Sequence, residues 1–260
     1  MHPALARTRI RFPRSGALQV GLIAAIYLLS ELSRGIAAGG ADAAQRHAAN
    51  VVDVERRLHV FGEAAVQRAV HHVVLLPSLL GYAYLTLHLA LTGAVLYWVY
   101  RRHRAEYGRL RNTLVLANAI AVVGYWLFPT APPRLAGVGI ADTVSHATSI
   151  NLTSHAVSSF YNPYAAVPSM HIGFSLLIGF TVYRLARRRL VRFAGAAYPG
   201  FVLLVIVATG NHFFLDAAVG AAVALVAGAV VSAASRLKQP LSQPVRVDFG
   251  GVADGLARAA

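Results

Sequence analysis

Long apolar stretches separated by clusters of arginine constrain this chain more than any other feature of its sequence. Six stretches are continuous and apolar, at roughly 16–38, 73–100, 112–129, 166–184, 194–210 and 212–234. A helix needs about 20 residues to cross the hydrocarbon core of a bilayer. None of the stretches alternates polar and apolar residues as a strand does, and lipid-exposed backbone is satisfied only in helices and closed barrels. We therefore predict an all-α polytopic membrane protein, a bundle of six transmembrane helices.

The basic residues are distributed unequally between the predicted connections. Of the 24 Lys and Arg residues, 18 lie before the first span or after the second, fourth and sixth spans. By the positive-inside rule both termini are cytoplasmic. Residues 1–15 are then a basic cytoplasmic N-terminus, 16–234 the membrane domain and 235–260 a cytoplasmic tail. If the first span were instead a cleaved signal peptide, the orientation of the others would not change.

Charge and cysteine content exclude several classes of function. The net charge of +14 could indicate a nucleic-acid partner, but short basic clusters at span ends are what membrane orientation alone requires. We therefore predict no nucleic-acid partner. The absence of cysteine excludes disulfides and cysteine-ligated metals.

The stretch 40–72 is too polar to span a membrane but has a helical pattern. Apolar residues recur at intervals of three and four, on one predicted face: Val51, Val54, Leu58, Phe61 and Ala65. The polar residues fall mostly off that face: Asp53, Glu55, Arg56, Arg57, Glu63 and Gln67. We predict an amphipathic helix in the outer interface. It would either pack on the bundle without touching substrate or cover a lipid headgroup as a lid.

The outer segment 129–165 is the longest stretch without a helical pattern. It begins PTAPPR, is rich in Pro, Ser, Thr, Asn and Gly, and runs into FYNPYAAVPSMH. Loops longer than about 12–15 residues are often functional. The connections on the other side are short and basic, so we expect the chemistry to lie outside.

Polar residues remote in sequence meet at the outer ends of the predicted spans. Ser169 and His171 lie at the start of the fourth span, and Arg134 follows the third. The GNH turn between the fifth and sixth spans places His212 at the top of the sixth, with Asp216 one helical turn later. A carboxylate within a span is costly and usually has a partner and a function.

This set of groups suits phosphoryl transfer. A histidine oriented by a carboxylate can act as nucleophile or base, and a second histidine can protonate a leaving group. An arginine and a helix N-terminus both bind anions. Transfer through a phosphohistidine would need neither a metal nor another cofactor. We interpret His88 as a packed residue within its span, and the remaining outer histidines as interfacial or loop residues: His71, His72, His146 and His155.

Two of these motifs resemble those of a known family. PSMH at 168–171 and HFFLD at 212–216 resemble the second and third signatures of the type 2 phosphatidic acid phosphatase superfamily, in which PSxH precedes HxxxD. The stretches FPTAPPR, NPYAAVPSMH, TGNHFFLD and VERRLHVF look closer to the branch that includes inositol phosphorylceramide synthases. The resemblance covers about 50 to 235, with each motif at the outer end of its own span.

The resemblance implies a role for each matching residue. His212 would be the phosphate-accepting nucleophile, Asp216 its orienting partner and His171 the general acid for the leaving group. Ser169 would hold a phosphate oxygen through its hydroxyl and backbone amide. Arg134 matches the arginine of the first signature.

The chain departs from the superfamily pattern at two positions. The superfamily has a lysine seven residues before that arginine and an arginine six residues before the nucleophile, where this chain has Leu127 and Ile206. With fewer cations, a phosphodiester donor fits better than a dianionic monoester. Asn211, Thr209 or Tyr164 would then supply neutral donors to the phosphate.

We accordingly expect a lipid phosphatase or phosphotransferase of a bacterial plasma membrane, with its active site facing outward. Its donor would be a lipid phosphate or a phospholipid, and its acceptor water or an alcohol such as inositol or a lipid alcohol. Two alternatives use the same cluster. One is a transporter whose His and Asp relay protons, and the other is a metal-dependent hydrolase with a two-histidine, one-carboxylate site.

Labelling should place the segment 135–165 outside the cell. If the basic connections are cytoplasmic, a membrane-impermeant reagent directed at positions in this segment reacts in intact cells. Reaction only after the membrane is opened would contradict the predicted orientation.

Overall fold

The computed structural model describes residues 40–152 and 162–237. The predicted N-terminal segment 1–15, the first span 16–38 and the tail beyond 237 lie outside the described residues. The secondary-structure elements within these ranges are all helices: α1 (Ala41–Arg57), α2 (Glu63–His71), α3 (Leu76–Arg102), α4 (Arg104–Leu127), a 3₁₀ helix (Pro133–Leu135), α5 (Thr143–Ala147), α6 (Met170–Leu185), α7 (Arg189–Ala208) and α8 (Phe214–Leu237).

Four helices in the described ranges, α3, α4, α7 and α8, are long and apolar enough to cross a membrane. They correspond to the predicted second, third, fifth and sixth spans, which confirms an all-helical chain with membrane-spanning character. The fourth predicted span corresponds to α6, whose 16 residues rise only about 24 Å at 1.5 Å per residue. A hydrocarbon core is about 30 Å thick. A count of six spans is therefore not confirmed.

The basic stretch between the second and third spans is mostly helical, not a connecting loop as predicted. Only His103 separates α3 from α4, and α4 begins at Arg104, eight residues before the predicted span. Arginine has a high helix propensity, and its long stem can cover apolar surface near a membrane boundary. Here Arg104 lies over the Tyr100 ring and Arg111 over the Tyr107 ring.

The order of the helices brings three connecting segments to one end of the bundle. α6 packs against α7 and α8, and α8 packs against α4. Successive long helices run in opposite directions, so the turns rich in arginine, α3–α4 and α6–α7, lie at the other end. The segments 128–134, 162–169 and 209–213 meet where the polar motifs lie. Backbone hydrogen bonds join the segments 128–134 and 162–169. Thr130 N–H donates to Tyr164 O at 2.7 Å, and Ala166 N–H donates to Thr130 O at 3.3 Å.

The segment 129–165 is more helical than its sequence predicts, because its described part contains the 3₁₀ helix and α5. The side chain of Asp142 caps α5 by accepting a hydrogen bond from Ser145 N–H at 3.0 Å. Residues 153–161 of this segment lie outside the described ranges.

The stretch 40–72 forms two helices, α1 and α2, and a single interfacial helix is not confirmed. The predicted apolar face is only partly buried against the bundle, because Val51 is 3% exposed whereas Val54 and Leu58 are 41% and 61% exposed. Three polar residues expected on the outer face are buried instead: Glu55, Glu63 and Gln67. The helical pattern did not predict this burial, because these polar side chains hydrogen-bond to backbone groups of distant segments of the chain. Small residues make the actual contact face of α1, where Ala44 and Ala48 pack with Phe213.

Gly220 of α8 permits the closest approach between that helix and the segment before α6. A Cβ at this position would meet the Ser169 backbone, at 2.8 Å from its carbonyl carbon. Real Cβ contacts are not this short, so any larger residue would displace Ser169. Gly228, two turns along the same helix, has space for a Cβ, with Thr113 Cγ2 at 4.0 Å.

We expect Gly220→Ala to lower stability by about 1–3 kcal/mol through overpacking and to lower activity by moving Ser169. Gly228→Ala is the matched control and should be neutral or stabilising, by up to about 1 kcal/mol, because alanine favours helix. Thermal unfolding in detergent checks both. Equal stability of the two variants would contradict the close approach of Gly220 to the Ser169 backbone.

Candidate active site

His212 is presented by a tight turn between α7 and α8, two residues before α8 begins. Gly210 in this turn has a φ of 72°, a left-handed conformation that favours glycine. A Cβ at Gly210 would also lie 2.7 Å from Ala141 O. The N–H groups of Asn211 and His212 both donate to Ile206 O, at 3.0 and 3.2 Å. The turn is thus closed by its own backbone, and the His212 side chain points into the bundle at 5% exposure.

The hydrogen bonds of His212 assign its tautomer. Its Nδ1 lies 3.1 Å from Ala166 O and 3.3 Å from Asp216 Oδ2, and both are acceptors. Nδ1 therefore carries the proton, and Nε2 keeps a lone pair. Nε2 lies 3.3 Å from Nδ1 of His171. The three side chains form a line from a fully buried carboxylate, through His212, to a partly exposed imidazole.

His171, in the first turn of α6, is held by rings from α3. Tyr84 stacks on it at a centroid distance of 4.7 Å, and His88 lies against it at 4.9 Å with a tilt of 52°. His88 also stacks on Phe174. The sequence interpretation of His88 as an ordinary packed residue missed its contact with His171. The available signal was its spacing, since His88 follows Tyr84 by one helical turn on the same face of α3.

Ser169 is the residue immediately before α6, but its hydroxyl makes no capping bond within the described structure. Ser169 Oγ is completely buried and has no hydrogen-bond partner among the described residues. Its N–H donates to Asp216 O at 3.0 Å. The amide expected to bind phosphate is therefore already used, whereas the hydroxyl is available to a ligand.

Arg134 follows the third predicted span as expected, and its side chain is 1% exposed. Its backbone N–H donates to Gly210 O at 2.9 Å, and its Nε donates to Asn211 Oδ1 at 2.9 Å. Nη1 lies 3.5 Å from Asp142 Oδ2. Nη2 is buried without a hydrogen-bond partner in the described part of the chain. A buried guanidinium with an unused donor is a receptor for an anion.

The residues predicted as neutral phosphate donors make other contacts. The side-chain N–H groups of Asn211 donate to Thr209 O and Oγ1, at 3.3 and 3.0 Å. Thr209 Oγ1 itself donates to Val205 O at 2.7 Å. Tyr164 packs at the cluster between α1 and Phe213. These bonds favour a role for Asn211 in orienting Arg134 over direct contact with phosphate.

The two positions without the family's cations have different environments. Leu127, at the end of α4, is 76% exposed. Ile206 is fully buried in an apolar cluster of α7. Among the other outer histidines, His71 Nε2 lies 3.0 Å from Thr143 Oγ1 and His146 Nδ1 lies 2.6 Å from Asp142 O. His72 is exposed, and His155 lies outside the described residues.

The geometry does not favour a metal centre at the His/Asp cluster. The two ring nitrogens of His212 face opposite neighbours, His171 on one side and Asp216 on the other. The atoms of His171, His212 and Asp216 that could bind a metal ion therefore do not converge on one point. No group of three His, Asp or Glu suited to a metal ion occurs within residues 40–152 and 162–237.

Comparison with known families identifies the chain at the superfamily level. A model of the PAP2 superfamily matches residues 49–230. The chain belongs to the PAP2 superfamily. This match spans both signature motifs, α2 and the second half of α1, and it supports an integral membrane enzyme of the phosphatase or phosphotransferase type acting on lipid-like substrates. No curated protein and no solved structure matched the chain.

The unpartnered hydroxyl of Ser169 gives a test of anion binding that separates function from stability. Ser169→Ala removes a buried hydroxyl that has no partner among the described residues, so the variant should unfold at the same temperature or higher. Its affinity for inorganic phosphate should fall roughly 10- to 100-fold, the value of a hydrogen bond to a charged group.

The matched control is Ser175→Ala on the same helix. Ser175 is buried, and its hydroxyl donates to Ile172 O at 3.0 Å. Its loss should cost about 1 kcal/mol of stability and leave phosphate affinity unchanged. Phosphate-dependent shifts in thermal unfolding measure both quantities. Equal phosphate affinity in wild type and Ser169→Ala would exclude Ser169 from the anion site.

Proposed function

We propose that this PAP2-superfamily protein transfers phosphoryl groups of lipid phosphoesters through a covalent phosphohistidine at His212. The observation that carries the proposal is the line Asp216–His212–His171, in which Nε2 of His212 faces the second imidazole. Two buried groups beside this line, Arg134 Nη2 and Ser169 Oγ, have unused hydrogen-bonding capacity within the described structure. A tetrahedral anion would use all of these groups at once.

In the first step, a substrate phosphate binds against Nε2 of His212 and replaces its 3.3 Å contact with His171 Nδ1. Nε2 of His212 attacks phosphorus with its lone pair, and the bond from phosphorus to the leaving oxygen breaks. His171 gives its proton to that oxygen. The Nδ1 proton of His212 stays directed at Asp216 and Ala166 O, so the carboxylate stabilises the positive charge that develops on the ring.

In the second step, an acceptor hydroxyl attacks the phosphohistidine. His171, now neutral, takes the proton of the acceptor, and the bond between phosphorus and Nε2 breaks. Both imidazoles return to their starting states. His171 is the more exposed of the two, so it lies on the side from which leaving group and acceptor exchange. Water as acceptor gives a phosphatase, and an alcohol gives a phosphotransferase.

The charges of the site favour a singly charged phosphodiester donor. Arg134 is a buried cation, whereas the family's two other cation positions hold an exposed Leu127 and a buried Ile206. A phosphate monoester carries up to two negative charges, and burying them without paired cations is costly. A phospholipid donor and an alcohol acceptor, as in the inositol phosphorylceramide synthase branch, agree with this balance. The active site would face the outer leaflet.

We expect His212→Ala to abolish turnover and Asp216→Asn to lower kcat by roughly 10⁴-fold, because an amide stabilises the wrong tautomer of the histidine. Purified protein in detergent is incubated with a phosphate-labelled lipid monoester or a labelled phospholipid, each with and without inositol or a ceramide. His103→Ala, at the arginine-rich end of the bundle, is the matched control and should keep wild-type turnover.

The label distinguishes the two acceptors. Release of inorganic phosphate from the monoester, lost in His212→Ala, identifies a phosphatase. Label that enters a new lipid only when the phospholipid and the alcohol are both present identifies a phosphotransferase. Near wild-type turnover by His212→Ala would rule out the proposed nucleophile. Acid-labile, base-stable label retained on the wild-type protein and absent from this variant would support it.

A further inference from the structure

Three carboxyl groups receive the first three amides after His212. The N–H groups of residues 213–215 donate, in order, to Asp216 Oδ2 at 2.9 Å, Glu63 Oε1 at 3.0 Å and Glu55 Oε1 at 2.6 Å. The first amides of a helix have no partner within the helix and need an external acceptor. Carboxylates are favoured there because the helix dipole is positive at its N-terminus. The start of α8 is thus fixed partly by two residues more than 150 positions earlier in the chain.

Glu55 and Glu63 are both fully buried, and no basic side chain in the described ranges forms an ion pair with either. Two ionised carboxylates without a cation would be costly in such a place. Their Oε2 atoms are buried and receive no hydrogen bond from the described residues, and a hydrogen bond to the Glu63 carboxyl is one of the causes that raise the pKa of Glu55. One proton shared between the two carboxyls would remove one of these buried charges.

We propose that Glu55 and Glu63 are positioning residues of the phosphoryl-transfer site, which hold His212 and Asp216 in register as a singly protonated pair. The proposal rests on the function proposed above. Asp216 Oδ2 takes the amide of Phe213 as well as facing His212 Nδ1. Any movement of residues 213–215 therefore moves the nucleophile and its orienting carboxylate together. The pair has no contact with phosphate in this scheme and acts only through the turn.

The protonation state follows from the surroundings of Glu55. Burial, followed by the contact with the Glu63 carboxyl, raises the pKa of Glu55 from 4.5 to about 8, against the lowering effect of the Leu215 amide. The charges of Glu63 and Asp216 act in the same upward direction. On its own helix the neighbouring basic residues Arg56 and Arg57 are exposed.

This shift has a defined consequence for stability. Below pH 4.5 the group is protonated in the folded and unfolded states, and its contribution is fully present. Between pH 4.5 and about 8 the unfolded chain releases the proton while the folded protein keeps it, so the contribution falls as pH rises. Above about pH 8 the folded pair also loses its proton, and two adjacent carboxylates repel each other. Activity should therefore decline on the alkaline side.

Glutamine substitutions test the shared proton directly. In Glu55→Gln the side-chain oxygen can still accept from Leu215 N–H, and its NH₂ can donate to Glu63. Glu63→Gln makes the reciprocal arrangement. Each single variant should keep kcat within about threefold of wild type at pH 7 and lose the alkaline decline, because the donor can no longer ionise. In Glu55→Gln/Glu63→Gln two NH₂ groups face each other, so kcat should fall by roughly 100-fold, as expected for a misplaced nucleophile.

Glu55→Leu removes both the acceptor and the proton and should lower kcat by roughly 100-fold with KM little changed. Asp53→Leu, an exposed carboxylate on the same helix, is the matched control and should behave as wild type. Activity is followed with the labelled phospholipid or monoester that the wild-type protein turns over. Hydrogen–deuterium exchange of the peptide covering 212–216 is measured on every variant, and it should be faster in Glu55→Leu and in the double variant only.

The two readouts separate failure of this proposal from failure of the proposed function. If wild type turns over none of the lipid substrates but exchange at 212–216 follows the pattern above, the proposed function fails and the carboxyl pair stands. If wild type is active and Glu55→Leu keeps both its kcat and its slow exchange, the pair is overturned. The pair is also overturned if each single glutamine variant loses as much activity as the double variant. One neutral amide beside one carboxyl should keep the hydrogen bonds of the pair, so only the double variant should be impaired.

Discussion

The contact between His212 and Asp216 is the interaction on which the rest of the site depends. At 3.3 Å the carboxylate orients Nδ1, so that the lone pair of Nε2 is directed toward His171. An imidazole and a carboxylate four residues apart meet this way only if the backbone between them turns correctly. In the structure that backbone is fixed from three sides, by Gly210 in a left-handed conformation, by the Ile206 carbonyl and by the carboxyl groups that accept the following amides. The position of the His212 ring against Asp216 therefore depends on the conformation of this turn.

The α1–α2 helices act as a scaffold for this site. Each contacts a different non-helical segment at the site end of the bundle. Gln45 and His47 of α1 hydrogen-bond to the carbonyls of Leu135 and Pro129, on either side of Arg134, at 2.8 and 2.7 Å. Gln67 of α2 exchanges two hydrogen bonds with the backbone of Ala141, both at 2.9 Å. Gln67 is buried, and a buried polar group that is bonded to a loop specifies the arrangement of that loop. These bonds favour packing on the bundle over a mobile lid.

Stability and the proposed function conflict at Arg134 and Ser169. Arg134 Nη2 and Ser169 Oγ are buried without partners among the described residues, and each such group costs free energy in the empty protein. The surrounding contacts hold them there nonetheless: Gly220 brings α8 against the Ser169 backbone, and Asn211 holds the guanidinium. An anion that bonds to both groups would recover the cost, so binding energy is available for a substrate phosphate instead of for folding.

The sequence by itself determined the helical membrane character of the chain and the candidate residues of its site. Hydrophobic length and the four-residue spacing of His212 and Asp216 are local properties, readable from 3.6-residue periodicity. Superfamily membership was also readable from PSMH and HFFLD. The shortness of α6, the use of the Ser169 amide, the contact of His88 with His171 and the burial of Glu55 and Glu63 were decided only by tertiary structure. For the last three, the partner of the residue lies far away in sequence. A polar residue on a helix is predicted to face solvent unless its distant hydrogen-bond acceptor or donor is known.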